Sequence, residues 1–145
     1  MQLFECKILY QREVADGKIQ KQSDTYLIDA VSFADAETRV LKEVEPFVFA
    51  GQDINVKSIR KVNYNEILPD PNGHFWFKAK LKLTTVDEND GKEKKITINI
   101  LLQAVNIDDA NQAINKFMAN AIMDYEITNI QVTDIVDVLS LVKNA

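Results

Sequence analysis

A stretch of ten residues occurs twice in this chain: Leu27-Ile28-Asp29-Ala30-Val31-Ser32-Phe33-Ala34-Asp35-Ala36 returns as Leu101-Leu102-Gln103-Ala104-Val105-Asn106-Ile107-Asp108-Asp109-Ala110. The correspondence extends outward. Phe4, Cys6, Ile8 and Tyr10 answer to Phe77, Ala79, Leu81 and Leu83, Ser58-Ile59 to Asn129-Ile130, and Glu66-Ile67-Leu68 to Asp137-Val138-Leu139. Two copies cannot make a solenoid, which needs roughly three or more stacked units, so the expectation is one compact pseudo-symmetric domain. The repeats run over residues 1–68 and 75–145, joined by a turn at 69–74 where Pro69, Pro71 and Gly73 cluster.

Within each copy the apolar period changes once. Phe4, Cys6, Ile8 and Tyr10 alternate with Glu5, Lys7, Leu9 and Gln11, which marks a half-buried strand. Asp16-Gly17 reverses it, because glycine tolerates the positive φ of a tight hairpin. A return strand over residues 20–31 places Tyr26, Ile28 and Ala30 on one face, and Ser32 with Asp35 makes a near capping box. Phe33, Ala36, Val40, Leu41 and Val44 follow at helical spacing until Pro46, and a third strand covers residues 54–63. The second copy replays the order: strand 75–86, turn Asn89-Asp90-Gly91, strand 94–105, an Asn106 cap with Asp109, a helix through Ile107, Ala110, Ile114, Phe117 and Ala121, and a strand with Ile127, Ile130 and Val132. The expected class is α+β: tandem ββαβ repeats with about six mainly antiparallel strands, order 2-1-3 in each repeat, and a helix on one face of each. Val136–Val142 reads equally as a strand, a short helix or a docking tail.

The side of the sheet away from the helices carries the functional expectation. Trp76, Lys78, Lys80 and Lys82 share one side of a strand, Lys95 sits on its neighbour, and Arg60 and Lys61 add charge in the first copy. An aromatic that stacks on bases beside lysines that follow phosphates is how sequence-tolerant single-strand binders work. A lysine ladder is also the ordinary solvated side of a sheet, and a guard against edge pairing. By parity Leu9, Leu27, Ile59, Trp76 and Leu101 fall on the same face, and large apolar groups rimmed by charge suit a protein partner or a homodimer. The same residues would equally be buried if the two sheets folded against one another.

Catalytic signals are weak, so a non-enzymatic protein without cofactor or metal is expected. His74, the only histidine, lies beside Phe75 and Trp76, and Cys6 falls on the core side of its strand with no base at hand. Asp87-Glu88-Asn89-Asp90-Gly91 lacks the calcium-loop register, and no phosphate or dinucleotide fingerprint is present. Net charge is −5, shared as 9 basic and 12 acidic residues before His74 and 8 and 10 from there on, so neither half is a basic arm. A single cysteine points to a reducing, cytoplasmic setting, and no apolar run approaches the roughly 20 residues of a membrane span.

Phe4-Glu5-Cys6-Lys7, Tyr26-Leu27-Ile28-Asp29-Ala30-Val31-Ser32-Phe33, Ala36-Glu37-Thr38-Arg39 and Asn63-Tyr64-Asn65-Glu66-Ile67 resemble the pattern of domain of unknown function four-four-nine-four. That family occurs in Bacteroides-type gut bacteria and their phages. Trp76-Phe77-Lys78 and Gly91-Lys92-Glu93-Lys94-Lys95 extend the likeness over nearly the whole chain. The resemblance implies no activity and no catalytic residues. Its phage association implies a mobile-element protein, and favours single-strand binding or protein assembly over metabolism.

Overall fold

The computed structural model describes residues 2–49 and 51–139. Chain order is β1 (Gln2–Glu13), β2 (Ile19–Ala30), α1 (Phe33–Val44), β3 (Asn55–Val62), β4 (Glu66–Leu68), β5 (Phe75–Val86), β6 (Glu93–Ala104), α2 (Ile107–Phe117), β7 (Asp124–Val132) and β8 (Ile135–Leu139). The protein is α+β, and among the described residues it has two α-helices and eight strands in two four-stranded sheets, ordered β3-β1-β2-β8 and β4-β6-β5-β7. The expected six strands are thus eight. The two additional ones are β4 and β8, which lie parallel to β6 and β2 while every other pairing is antiparallel. Val136 to Leu139 are strand; the rest of the Val136–Val142 segment lies outside the described residues.

The described residues divide into two units. One is built from the chain before Tyr64 and after Thr133, the other from Tyr64–Thr133. Neither sheet is therefore completed by the strand that follows in sequence: β4 leaves the first unit to join the second, and β8 returns to the first.

Local chemistry explains the elements. Asp16 and Gly17 both adopt φ 71°, the left-handed geometry that closes the β1–β2 hairpin, and Gly91 (φ 70°) serves β5–β6. Ser32 Oγ accepts from Asp35 N at 3.1 Å while Asp35 Oδ2 accepts from Val31 N at 3.1 Å; Asn106 Oδ1 and Asp109 Oδ2 repeat this with Asp109 N at 2.8 Å and Val105 N at 3.0 Å. Each cap thus satisfies two backbone donors at a helix entry.

In the first unit α1 lays Ala36, Val40 and Val44 on Phe4, Cys6, Ile8 and Ile28. In the second, α2 lays Ala110 and Ile114 on Phe77, Ala79, Leu81 and Ile100. A bulge interrupts the pairing of β3 with β1 and of β7 with β5. The β1–β3 register shifts between Lys7 and Ile8, so Ile59 pairs with Cys6 and Val56 with Ile8. Val56 and Ile59, three residues apart, consequently both pack on the helix side. Ile127 and Ile130 do the same across the shift between Lys80 and Leu81. Ile59 is therefore corrected from the open face to the core side, because strict alternation cannot see the extra residue of a bulge. No helix among the described residues is long and apolar enough to cross a membrane.

Candidate functional site

The side chains of β5 that point away from α2 are Trp76, Lys78, Lys80 and Lys82, since the intervening Phe77, Ala79, Leu81 and Leu83 belong to the core. Across the sheet Lys78 pairs with Leu101, Lys80 with Asn99, Lys82 with Thr97 and Thr84 with Lys95. On the opposite flank Gln131, Asn129 and Glu126 stand beside Lys78, Lys80 and Lys82. Lys80, Lys82 and Lys95 are exposed and Lys78 is half-buried. Lys78, Lys80, Asn129 and Gln131 line a small polar depression of about 90 Å³.

At about 3.4 Å per residue, alternate lysines stand roughly 7 Å apart. Two unit charges at that distance in water repel by about 0.6 kcal/mol, so the ladder is tolerated when empty and is relieved when an anion lies along it. Glu126 is the one carboxylate paired directly with a lysine of β5. Asn99 Oδ1 is buried without a hydrogen-bond partner, although its backbone N–H donates to Asn65 Oδ1 (2.8 Å) and its carbonyl accepts from Asn65 N (2.8 Å).

The other expected site residues are placed differently. Trp76 is only 4% exposed, with a buried Nε1 that has no hydrogen-bond partner, so its ring has no free face on which a base could stack. Its carbonyl accepts from both Thr133 N and Thr133 Oγ1 at 2.8 Å, which pins the start of β5. Arg60 lies on the open face of the first sheet, where its Nη2 donates to both Glu5 carboxylate oxygens at 3.0 and 3.1 Å; its charge is already answered. Lys61 points to the other face, its Nζ 5.7 Å from the centre of the Phe33 ring. Of the six expected cations, the four lysines of the second unit share one face, and Arg60 and Lys61 lie apart from them.

The apolar set shares the fate of Trp76. Leu27 and Leu101 are 0% exposed, Leu9 is half-buried, and Ile59 packs on the helix side, so none presents a broad apolar patch to a partner. His74 is exposed, next to a turn closed by Gly73 N donating to Asp70 O at 2.9 Å. The acidic hairpin tip bonds itself: Asp87 Oδ1 accepts from Asn89 N (2.8 Å) and Asp90 Oδ1 from Lys92 N (2.9 Å). No group of three or more His, Cys, Asp or Glu among the described residues could hold a metal ion. Cys6 is a free, fully buried thiol whose pKa is pushed up to about 11, first by burial and then by the Glu5 charge. Asn129 and Gln131 were not singled out by sequence; their alternation along β7 beyond the bulge was the available signal.

The architecture and the lysine-bearing face define an α+β protein of two separately cored sheet units, the second with a polar sheet face that carries four lysines. The model of the family described as Domain of unknown function (DUF4494) matches residues 2–141, and the chain belongs to that family. No curated protein and no solved structure matches it.

Proposed function

We propose that this protein is a non-enzymatic module that binds single-stranded nucleic acid along the lysine face of its second unit. Lys78, Lys80, Lys82 and Lys95 contact phosphates, while Asn99, Asn129 and Gln131 offer hydrogen bonds to sugar or base edges. The observation that carries the reading is four lysines on one face of the β5–β6 pair with a single carboxylate directly beside the β5 ladder. Net acidity does not by itself oppose it, because the distribution of charge over a surface, not its sum, sets the local field; Asp124, opposite Thr84, and Glu93, opposite Val86, share this face with Glu126 and the four lysines. Stacking by Trp76 is not part of the mechanism. A cytoplasmic setting suits the free thiol of Cys6, and the phage association implied by the family resemblance suits a protein that handles single strands.

The test is fluorescence anisotropy of labelled single-stranded DNA and RNA across a salt series, with a duplex control. Saturable binding that prefers single strands and weakens with salt is expected, and Lys80→Ala should flatten the log–log salt slope by about 0.7. Absence of binding at low salt, or an unchanged slope in Lys80→Ala and Lys82→Ala, overturns the proposal.

The finer architecture belongs to the same reading: the two sheets are copies of one ββαβ repeat, and each repeat is followed by a short strand, β4 or β8, that joins the other sheet. Three observations support it. The sequence echo equates Leu27 with Leu101 and Val138 with Ile67, and the pairs Leu27–Val138 and Leu101–Ile67 occupy equivalent positions in parallel ladders. The strand orders coincide when one sheet is read in reverse, and both helices begin with the same two-bond cap.

A further inference from the structure

The hairpin of the first unit outruns its helix. α1 ends at Val44, while β1 and β2 continue to Glu13 and back from Ile19. Beyond the helix, the core side of the sheet opens into a cleft of about 450 Å³. Tyr10, Asp24 and Tyr26 line its sheet wall, Asp137 enters from β8, and Glu43 and Phe47 come from the end of α1 and the turn after it.

Asp24 is the unusual member. It is only 6% exposed, its Oδ2 accepts from Tyr10 Oη at 2.6 Å, and its Oδ1 accepts from Gln22 Nε2 at 2.8 Å. Both partners are neutral donors, and among the described residues no cation lies within ion-pair distance of this carboxylate. A buried carboxylate without a counter-ion is costly, and two hydrogen bonds leave about half of its acceptor capacity unused. Tyr26 has its pKa pushed up to about 12, by burial first and then by the Asp24 charge, and Tyr10 higher still, by burial first and then by its hydrogen bond to Asp24, so both phenols stay neutral at neutral pH.

The second unit supplies a comparison within the same chain. Its positions equivalent to Tyr10, Asp24 and Tyr26 are Leu83, Ile98 and Ile100, all packed in or against the apolar core. The same sheet position is therefore stable when filled with hydrocarbon. A polar set that puts a charge there gives up that packing, as binding sites do and cores do not. The cleft carries three carboxylates, Asp24, Glu43 and Asp137, against one guanidinium, Arg12, between aromatic walls. Carboxylates among aromatic rings are the environment that recognises organic cations.

We infer that this cleft binds an organic cation, a primary ammonium or a guanidinium, seated on Asp24 between Tyr10 and Tyr26. The same chemistry is offered by a free polyamine and by a lysine or arginine side chain of a peptide. The inference concerns the first unit and stands apart from the lysine face of the second.

The experiment is titration of the ¹⁵N-labelled protein with spermidine, with an end-blocked lysine tripeptide and with its norleucine analogue, followed by amide shifts. Saturable shifts centred on Asp24, Tyr26 and Asp137 with a cationic probe, and none with norleucine, are expected; the stronger of the two cationic probes identifies the source. Asp24→Asn should weaken binding by about tenfold or more. Asp137→Asn, at an exposed position, should weaken it a few-fold and decides the matter if Asp24→Asn does not fold. Lys80→Ala should leave this binding unchanged, which separates it from the nucleic-acid reading. Equal response to norleucine, shifts scattered over other acidic surfaces, or unchanged affinity in the folded variants overturns the inference.

Discussion

Removing residues 134–145 is expected to unravel the beginning of the protein rather than its end. β8 pairs with Thr25, Tyr26, Leu27 and Ile28 of β2, so truncation after Thr133 strips an outer strand from the first sheet and leaves the second sheet's strands in place. The loss is sizeable. Ile135 is 5% exposed, and burying such a side chain contributes about 1.5–3 kcal/mol. Val138 and Leu139 are half-buried, and each ladder hydrogen bond adds about 1 kcal/mol. The total, roughly 5 kcal/mol, rivals the lower end of whole-domain stabilities. Native-state hydrogen exchange reads the effect by segment. Amides of β1 and β2 should exchange roughly 10³–10⁴-fold faster in the truncated chain, at about 1.4 kcal/mol per tenfold, while those of Phe77 to Leu83 and Ile98 to Leu102 keep their protection. Loss of protection in β5 and β6 with retention in β1 and β2 would mean that the last strand closes on its own repeat, and the exchange of strands would be refuted.

Other outcomes follow from single groups. A Cβ at Gly73 would stand 2.6 Å from Ala104 N and 2.8 Å from the Gln103 carbonyl carbon, and backbone cannot yield as a side chain can, so Gly73→Ala should cost about 1–3 kcal/mol; an unchanged melting temperature contradicts this. Cys6 should resist a thiol reagent at pH 8 in the native protein and react on unfolding in guanidinium, since it is buried and its pKa is raised from 9.0 to about 11; rapid native labelling argues against that placement. Raised pKa values also set the alkaline limit. The folded state holds the Cys6 and Tyr26 protons above the ordinary values of 9.0 and 10.0, so their stabilisation is fully present below those values and is lost as pH rises through about 11 and 12. Melting temperature should therefore fall across that window, and Cys6→Ala should shallow the fall at its lower end.

Much of the fold is legible from local pattern. Both long hairpins follow from two-residue alternation around Asp16-Gly17 and the loop before Gly91, and both helices from spacing after Ser32 and Asn106. These features depend on neighbours in sequence, whose geometry the backbone imposes on any chain of that pattern. Errors begin where alternation is interrupted. The bulges opposite Lys7 and Lys80 return residues three apart to one face, which moved Ile59 to the core side. Of the site, the face of Lys78, Lys80, Lys82 and Lys95 was readable because parity on β5 and β6 is unbroken. The pairing of Arg60 with Glu5, 55 positions away, and the cation–ring contact of Lys61 with Phe33 were not.

The amino-acid sequence by itself determined the elements: two echoed hairpin-and-helix units, their caps, their turns and the side of each hairpin strand that faces a helix. Only the tertiary structure decided the partners. That β4 closes the second sheet and β8 the first, that Trp76 is covered, and that Asp24 is buried with an open cleft before it all depend on residues brought together from distant positions. The physical reason is that strand pairing and burial are non-local. A short apolar segment such as Glu66-Ile67-Leu68 or Val138-Leu139 satisfies its backbone equally well against any free strand edge, and which edge it takes is settled by the fold as a whole.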